Sequence, residues 1–137
     1  MNNIYKNYFK NKKVLIFGGT GSFGSAFLRR AVNLDFKEIK IFSRDEKKQH
    51  DLRLQFKGNE NVNFFIGDVR DFDSLDKAFK NVDFIFHAAA LKQVPTAEIF
   101  PLEALKTNAL GAENVIKEHE QMYSYVEGKM KTLRLGL

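Results

Sequence analysis

The sequence predicts an α/β fold: a parallel sheet with helices on both faces. Three observations predict it. Short apolar runs alternate with helical patterns along most of the 137 residues. The first run, Lys13-Val14-Leu15-Ile16-Phe17, is continuously apolar after its lysine, as a strand buried on both faces must be. A glycine-rich turn follows that strand directly and opens a helical pattern.

The elements follow in order. After the turn, Ser25 to Asn33 carries Ala26, Phe27, Ala31 and Val32 at helical spacing. Glu38 to Phe42 reads as the second strand, and Asp45 to Phe56 as a polar helix with Leu52 and Phe56 on one side. Val62 to Ile66 is the third strand. Asp71 to Phe79 is a helix for which Asp71 and Ser74 are both candidate N-caps. Val82 to Phe86 is the fourth strand, closed by His87-Ala88-Ala89-Ala90. A long helical pattern begins near Pro101 and runs to Lys117. Pro95 and Pro101 mark an irregular stretch after the fourth strand. Alternation of this kind gives right-handed crossovers and puts ligands at the carboxyl ends of the strands. The alternation stops after about four strands. The expected division is a basic arm over 1–12, a Rossmann-type NAD(P)-binding domain over 13–117 and a divergent tail over 118–137.

Composition narrows the function. Hydrophobic residues are 44% and charged residues 28%, which describes a globular domain and not a disordered chain. With no cysteine, a disulfide framework, a thiolate metal site and a cysteine nucleophile are excluded, and a reducing, cytoplasmic location is expected. No apolar run approaches the roughly 18 residues of a membrane span, and the first 13 residues do not have the form of a secretory leader. The net charge is +5, and Lys6, Lys10, Lys12 and Lys13 account for most of it. Without a basic, aromatic-interleaved face, this reads as a solvated arm and not a nucleic-acid surface.

The glycine loop carries the chemistry. Gly19, Gly21 and Gly24 form G-x-G-x-x-G, and Gly18, Gly21 and Gly24 form a second glycine pattern. A dinucleotide pyrophosphate demands a sharp turn, a close backbone approach and tight helix packing. The helix N-terminus then presents amides and a partial positive charge to the phosphates. A glycine-rich turn without ligand is the plain alternative. Ser43-Arg44-Asp45 ends the second strand about 20 residues beyond the last glycine, with Lys47 and Lys48 close by. An arginine there suits the 2′-phosphate of NADP, whereas Asp45 keeps NAD open. The alternative is a set of exposed charges at a helix start. Asp68, after the third strand, can accept from an adenine amino group or serve as turn chemistry. Small residues Ala88 to Ala90 let the backbone run beside a nicotinamide ribose, or form an unremarked turn.

The runs GGTGSFG, SRDEKKQ, GDVRD, HAAALKQVP and PLEALKTNALGAENV resemble the extended short-chain dehydrogenase/reductases of polysaccharide biosynthesis. The resemblance covers roughly residues 10–117 and lies nearest the inverting UDP-N-acetylglucosamine 4,6-dehydratases, including those that epimerise at C5. It implies a tightly held NADP, a UDP-sugar substrate, a role in capsule, O-antigen or other surface polysaccharide synthesis, and a homo-oligomer when full length. It implies that Gly18, Thr20, Gly21, Ser22, Phe23 and Gly24 meet the pyrophosphate. Ser43, Arg44, Asp45, Glu46, Lys47 and Lys48 would surround the 2′-phosphate. Asp68 and Val69 would meet adenine, and Ala88, Lys92 and Asn108 the nicotinamide side, with Lys92 also near substrate. No metal is implied. The alternatives are an NAD-dependent sugar epimerase and a non-catalytic dinucleotide-binding fragment.

The family's pattern departs after about Lys117. Its fifth strand, Thr-Asp-Lys segment and later Tyr or Met and Lys positions have no counterpart in EHEQMYSYVEGKMKTLRLGL. Tyr125 and Lys129 have Y-x-x-x-K spacing, but Gly128 interrupts the helix that would hold them, and Tyr123 fares no better. A truncated chain without turnover, with an apolar sheet edge beside the fourth strand, is the expectation.

Overall fold

The computed structural model describes residues 7–89 and 99–121. Four strands, β1 (Lys13–Phe17), β2 (Glu38–Ser43), β3 (Val62–Ile66) and β4 (Phe84–His87), form one parallel sheet in the order β3-β2-β1-β4. Helix α1 (Ser22–Ala31) follows β1, α2 (Glu46–Gln55) follows β2, and a 3-10 turn (Phe72–Ser74) with the short α3 (Asp76–Phe79) follows β3. After β4 come α4 (Pro101–Leu105), a π-helical turn (Lys106–Leu110) and α5 over 111–121.

Alternation along β1 builds two cores. Val14 and Ile16 pack on one face with Leu28 and Ala31 of α1, Ile39 and Ile41 of β2, and Leu52 of α2. Leu15 and Phe17 pack on the other with Phe42, Leu75, Ala78, Phe79 and Val115. Helices therefore cover both faces, as the continuous apolar run of β1 requires. Tyr8 and Phe9 dock on Phe84, and Phe9 also on Phe36, at the amino end of the sheet. Lys10 and Lys12 beside them stay exposed.

Several boundaries differ from the sequence reading. Helix α1 begins at Ser22, three residues earlier than the spacing suggested, so the last glycine lies inside the helix. Its backbone passes so close to Gly18 that a Cβ on Gly24 would overlap the Gly18 carbonyl oxygen. The helix expected over Asp71 to Phe79 is split. Asp71 does cap the 3-10 turn, accepting from the Asp73 amide. Ser74 caps nothing: its hydroxyl donates to the Asp68 and Asp71 carbonyls, drawing the chain into a tight turn there. Pro101 takes the first position of α4, where its missing N–H is harmless. The long helix expected after it widens into the π-helical turn. Pro95, Lys92, Ala90 and the Tyr123, Tyr125 and Lys129 set lie outside the described residues.

Candidate functional site

The ladder sets the site's base. Beyond the strand ends, the Gly18 amide donates to Phe42 O at 3.0 Å, Gly67 to Ser43 O at 3.1 Å and Ala88 to Phe17 O at 2.9 Å. Three turns are thus aligned along the carboxyl edge of the sheet. Gly18 sits at φ +68°, and a side chain there would come within 2.8 Å of the Ala88 carbonyl, so both the dihedral and the space call for glycine.

Above this edge lies a cavity of about 270 Å³. Gly18, Thr20 and Gly21 line it from the glycine loop; Phe42, Ser43, Arg44, Asp45 and Lys48 from the β2 tip; Gly67, Asp68 and Val69 from the β3 tip; Ala88 and Ala89 from the β4 tip; and Thr107 from the π-helical turn. Of the residues singled out in the sequence, Gly18, Thr20, Gly21, Ser43, Arg44, Asp45, Lys48, Asp68, Val69 and Ala88 come together here. Ser22, Phe23, Gly24, Glu46, Lys47 and Asn108 do not line the cavity. Ser22 to Gly24 form the first turn of α1, which opens at the cavity. The Phe23 ring stacks on Phe86, centroids 5.7 Å apart. Glu46, Lys47 and Asn108 point their surfaces to solvent. Lys92 is outside the described residues.

The start of α1 is electrostatically open. Its N-cap is Gly21, which has no side chain to bond the first amides, and the first turn has no acidic residue. The Ser25 amide to Gly21 carbonyl bond, 2.9 Å, opens the helical ladder. The amides before it are those an anion can take.

The β2 tip supplies the cations. The side chains of Arg44 and Lys48 are 51% and 65% exposed, free enough to swing onto a ligand. Asp45 is engaged locally: it accepts from the Lys48 amide at 2.9 Å as the N-cap of α2, and the Lys48 ammonium lies 3.8 Å from its other oxygen. Asp68 is engaged as well. Arg70 Nε donates to its two oxygens at 3.0 and 2.9 Å, Arg70 Nη2 adds a 2.6 Å bond, and Arg44 stands 3.9 Å away. Burial would push the Asp68 carboxyl up, but the hydrogen bonds and charge of Arg70, joined by Arg44, outweigh it and hold it below the usual value. Arg70 also bridges to Glu103 of α4, and the Asn114 amide donates to Val69 O at 2.9 Å. These bonds tie the β3 tip to the helix that carries Thr107.

Thr107 is the residue sequence reasoning missed. It is 7% exposed, lines the cavity, and its hydroxyl has no hydrogen-bond partner among the described residues. A buried hydroxyl left without a partner on a cavity-lining residue suits a polar ligand. Its only signal in the sequence was its position beside Asn108, and a π turn, frequent at functional sites, has no simple sequence signature. Phe42 was likewise read as a strand residue alone.

Residues 14–125 match the family described as polysaccharide biosynthesis protein. The chain belongs to that family. It is 58% identical over 113 residues to a UDP-glucose 4-epimerase of Rickettsia bellii, covering 80% of this chain and 33% of that protein. A UDP-glucose 4-epimerase of Rickettsia akari is 56% identical over 112 residues, covering 79% of this chain and 33% of that protein. Among solved structures, Pen from Bacillus thuringiensis superposes with a TM-score of 0.79 at 42% identity, over 81% of this chain and 35% of that one. The UDP-Glc/GlcNAc 4-epimerase from Campylobacter jejuni gives 0.68 at 27% identity, over 81% and 34%. This member of the polysaccharide biosynthesis family thus spans about a third of the length of the curated relatives it matches. The expected likeness to extended short-chain dehydrogenase/reductases holds at that level; the curated relatives named above are 4-epimerases, while the similar solved structures also include a dTDP-glucose 4,6-dehydratase from Streptomyces venezuelae. Among the described residues, no group of acids and histidines could hold a metal ion, and no helix is long and apolar enough to cross a membrane.

Proposed function

We propose that the cavity binds NADP(H), and that the chain is the cofactor-binding portion of an enzyme that modifies a UDP-sugar for surface polysaccharide synthesis. One observation carries the reading: an uncapped helix start, a glycine turn and two exposed cations converge on a single cavity at the carboxyl edge of a parallel sheet. The residues present suit the cofactor. Gly18 and Gly21 leave the backbone bare where a pyrophosphate would lie, and the α1 amides face it. Arg44 and Lys48 supply the charge that a 2′-phosphate requires. Because Asp45 is spent on capping α2, it is poorly placed to take a ribose diol, which favours NADP over NAD. Thr107, which also lines the cavity, has a hydroxyl with no partner among the described residues and so can meet a polar group of the cofactor. When bound, the cofactor supplies a hydride acceptor and donor; the protein holds it, shields it with Phe42 and Val69, and orients it against the β4 tip.

For the whole enzyme, the motif likeness supports a UDP-N-acetylglucosamine 4,6-dehydratase that also epimerises at C5. A second reading, a UDP-hexose 4-epimerase, is supported by the names of relatives 56–58% identical to this chain. Both chemistries oxidise the sugar at C4. Isothermal titration calorimetry with NADP and NAD tests the binding reading, which falls if folded protein ignores both. A chimera in which residues 14–117 replace the matching region of the Rickettsia bellii relative tests the cofactor site in a full-length setting: turnover of the relative's own UDP-sugar is the expected result, and a folded chimera without turnover counts against the reading.

A further inference from the structure

Gln49 sits in a helix whose sequence is almost wholly polar, yet it is only 1% exposed. Its amide nitrogen lies 2.7 Å from Phe65 O, 3.1 Å from Ser43 O and 3.0 Å from Ser43 Oγ. The two backbone carbonyls fix the orientation of the amide, because only its NH₂ end can face them. Nε2 is therefore the donor toward Ser43 Oγ, and that oxygen is the acceptor. The hydroxyl hydrogen of Ser43 must then point elsewhere, and no acceptor among the described residues takes it. Ser43 lines the cavity at the β2 tip, next to Arg44.

We infer that Gln49 is a positioning residue for cofactor choice: it presets the Ser43 hydroxyl as a donor to the 2′-phosphate of NADP(H). This rests on the NADP reading of the cavity given above. A phosphate monoester accepts hydrogen bonds strongly, and a bond to a charged acceptor is about twice as strong as one to a neutral hydroxyl. A hydroxyl held as donor thus favours NADPH over NADH without touching either nucleotide's common parts. Gln49 itself makes no contact with the cavity, and its effect passes through Ser43.

The test is fluorescence titration of the intact chain with NADPH and NADH, which the absence of tryptophan makes clean. Ser43→Ala, Gln49→Met and the double variant are compared with the parent. Each single change is expected to lower NADPH affinity by about tenfold and NADH affinity by less than about twofold, with the double variant no weaker than the weaker single. A role in packing alone would lower both affinities in parallel, and that result overturns the inference, as does full additivity of the two changes. Should Gln49→Met lose its circular-dichroism signal, Gln49→Glu keeps the size and polarity. Its NADPH:NADH ratio must fall relative to the parent as rising pH ionises the new carboxyl, and a ratio that tracks the parent at every pH overturns the inference. An unchanged ratio in Ser43→Ala overturns it on its own. A parent chain that binds neither nucleotide removes the NADP reading first and this inference with it, a result distinct from binding with an unchanged ratio.

Discussion

β2 and β4 flank β1, Phe17 pairing with Phe42 on one side and His87 on the other, and β2 runs one residue further, to Ser43. Their tips are nonetheless built differently. β2 is buried from Ile39 to Ser43, and its tip bristles with side chains that are bonded to one another or charged: Ser43 to Gln49, Asp45 to the Lys48 amide, Arg44 beside Asp68. β4 is half-buried, and its tip offers Ala88 and Ala89, backbone and little else. One tip recognises by charge and the other by space. Substitutions that alter charge should therefore act at β2, and those that add volume should act at the boundary of β1 with β4.

The largest effect is expected from Gly18→Ala. A left-handed non-glycine residue costs on the order of 1–3 kcal/mol, and the overlap with Ala88 adds to it. Thermal unfolding should show a large fall in Tm, and calorimetry no nucleotide binding; tolerance of this change would break the claim that space governs the β4 side. Arg44→Ala comes next. Loss of charge-assisted bonds should weaken NADP binding by about 10–100-fold with NAD nearly unaffected, given about 1.5–3 kcal/mol for such bonds. Equal losses for both nucleotides would erase the distinction between the two tips.

A third expectation concerns acid. The folded Asp68 carboxyl titrates below its unfolded value of about 3.9, so its contribution to stability is complete above that pH and lost as pH falls through the lowered folded value. Arg70→Met removes the principal partner and leaves burial pushing the carboxyl up. The acid-unfolding midpoint by circular dichroism should move to higher pH, and an unmoved midpoint would separate Asp68 from Arg70 energetically. The smallest effect belongs to Thr107→Val. It should cost about two- to tenfold in dinucleotide affinity while leaving Tm unchanged or raised, since the hydroxyl is unsatisfied without ligand.

Legibility in the sequence followed the same divide. β1 and β3 agree with the structure residue for residue: β1 because a strand buried on both faces leaves a continuous apolar run, and β3, a half-buried edge strand, because its apolar residues are bounded by Asn59 and Asn61 on one side and Gly67 on the other. The glycine loop was legible because Gly18 answers both a dihedral and a close approach. What escaped notice depends on partners distant in sequence. Gln49 looks like any polar helix residue until Phe65 O and Ser43 O are brought beside it. Thr107 gains meaning only once a widened helical turn brings it to the cavity at the carboxyl edge of the sheet. Gly24 seemed to lie in the loop, but close packing on Gly18 lets a poor helix former enter the first turn.

Lys40, in the centre of β2, is 4% exposed, and its ammonium donates to Ala78 O at 3.1 Å and Lys80 O at 2.6 Å. A strand thereby closes the carboxyl end of α3, a task that helices usually leave to their own last turn. Burial lowers the affinity of this amine for its proton, yet its hydrogen bonds hold it in place behind the sheet. An acylating reagent added to folded protein would reach Lys40 only after α3 lifts from β2, which makes this one amine a chemical clock for the opening of the domain.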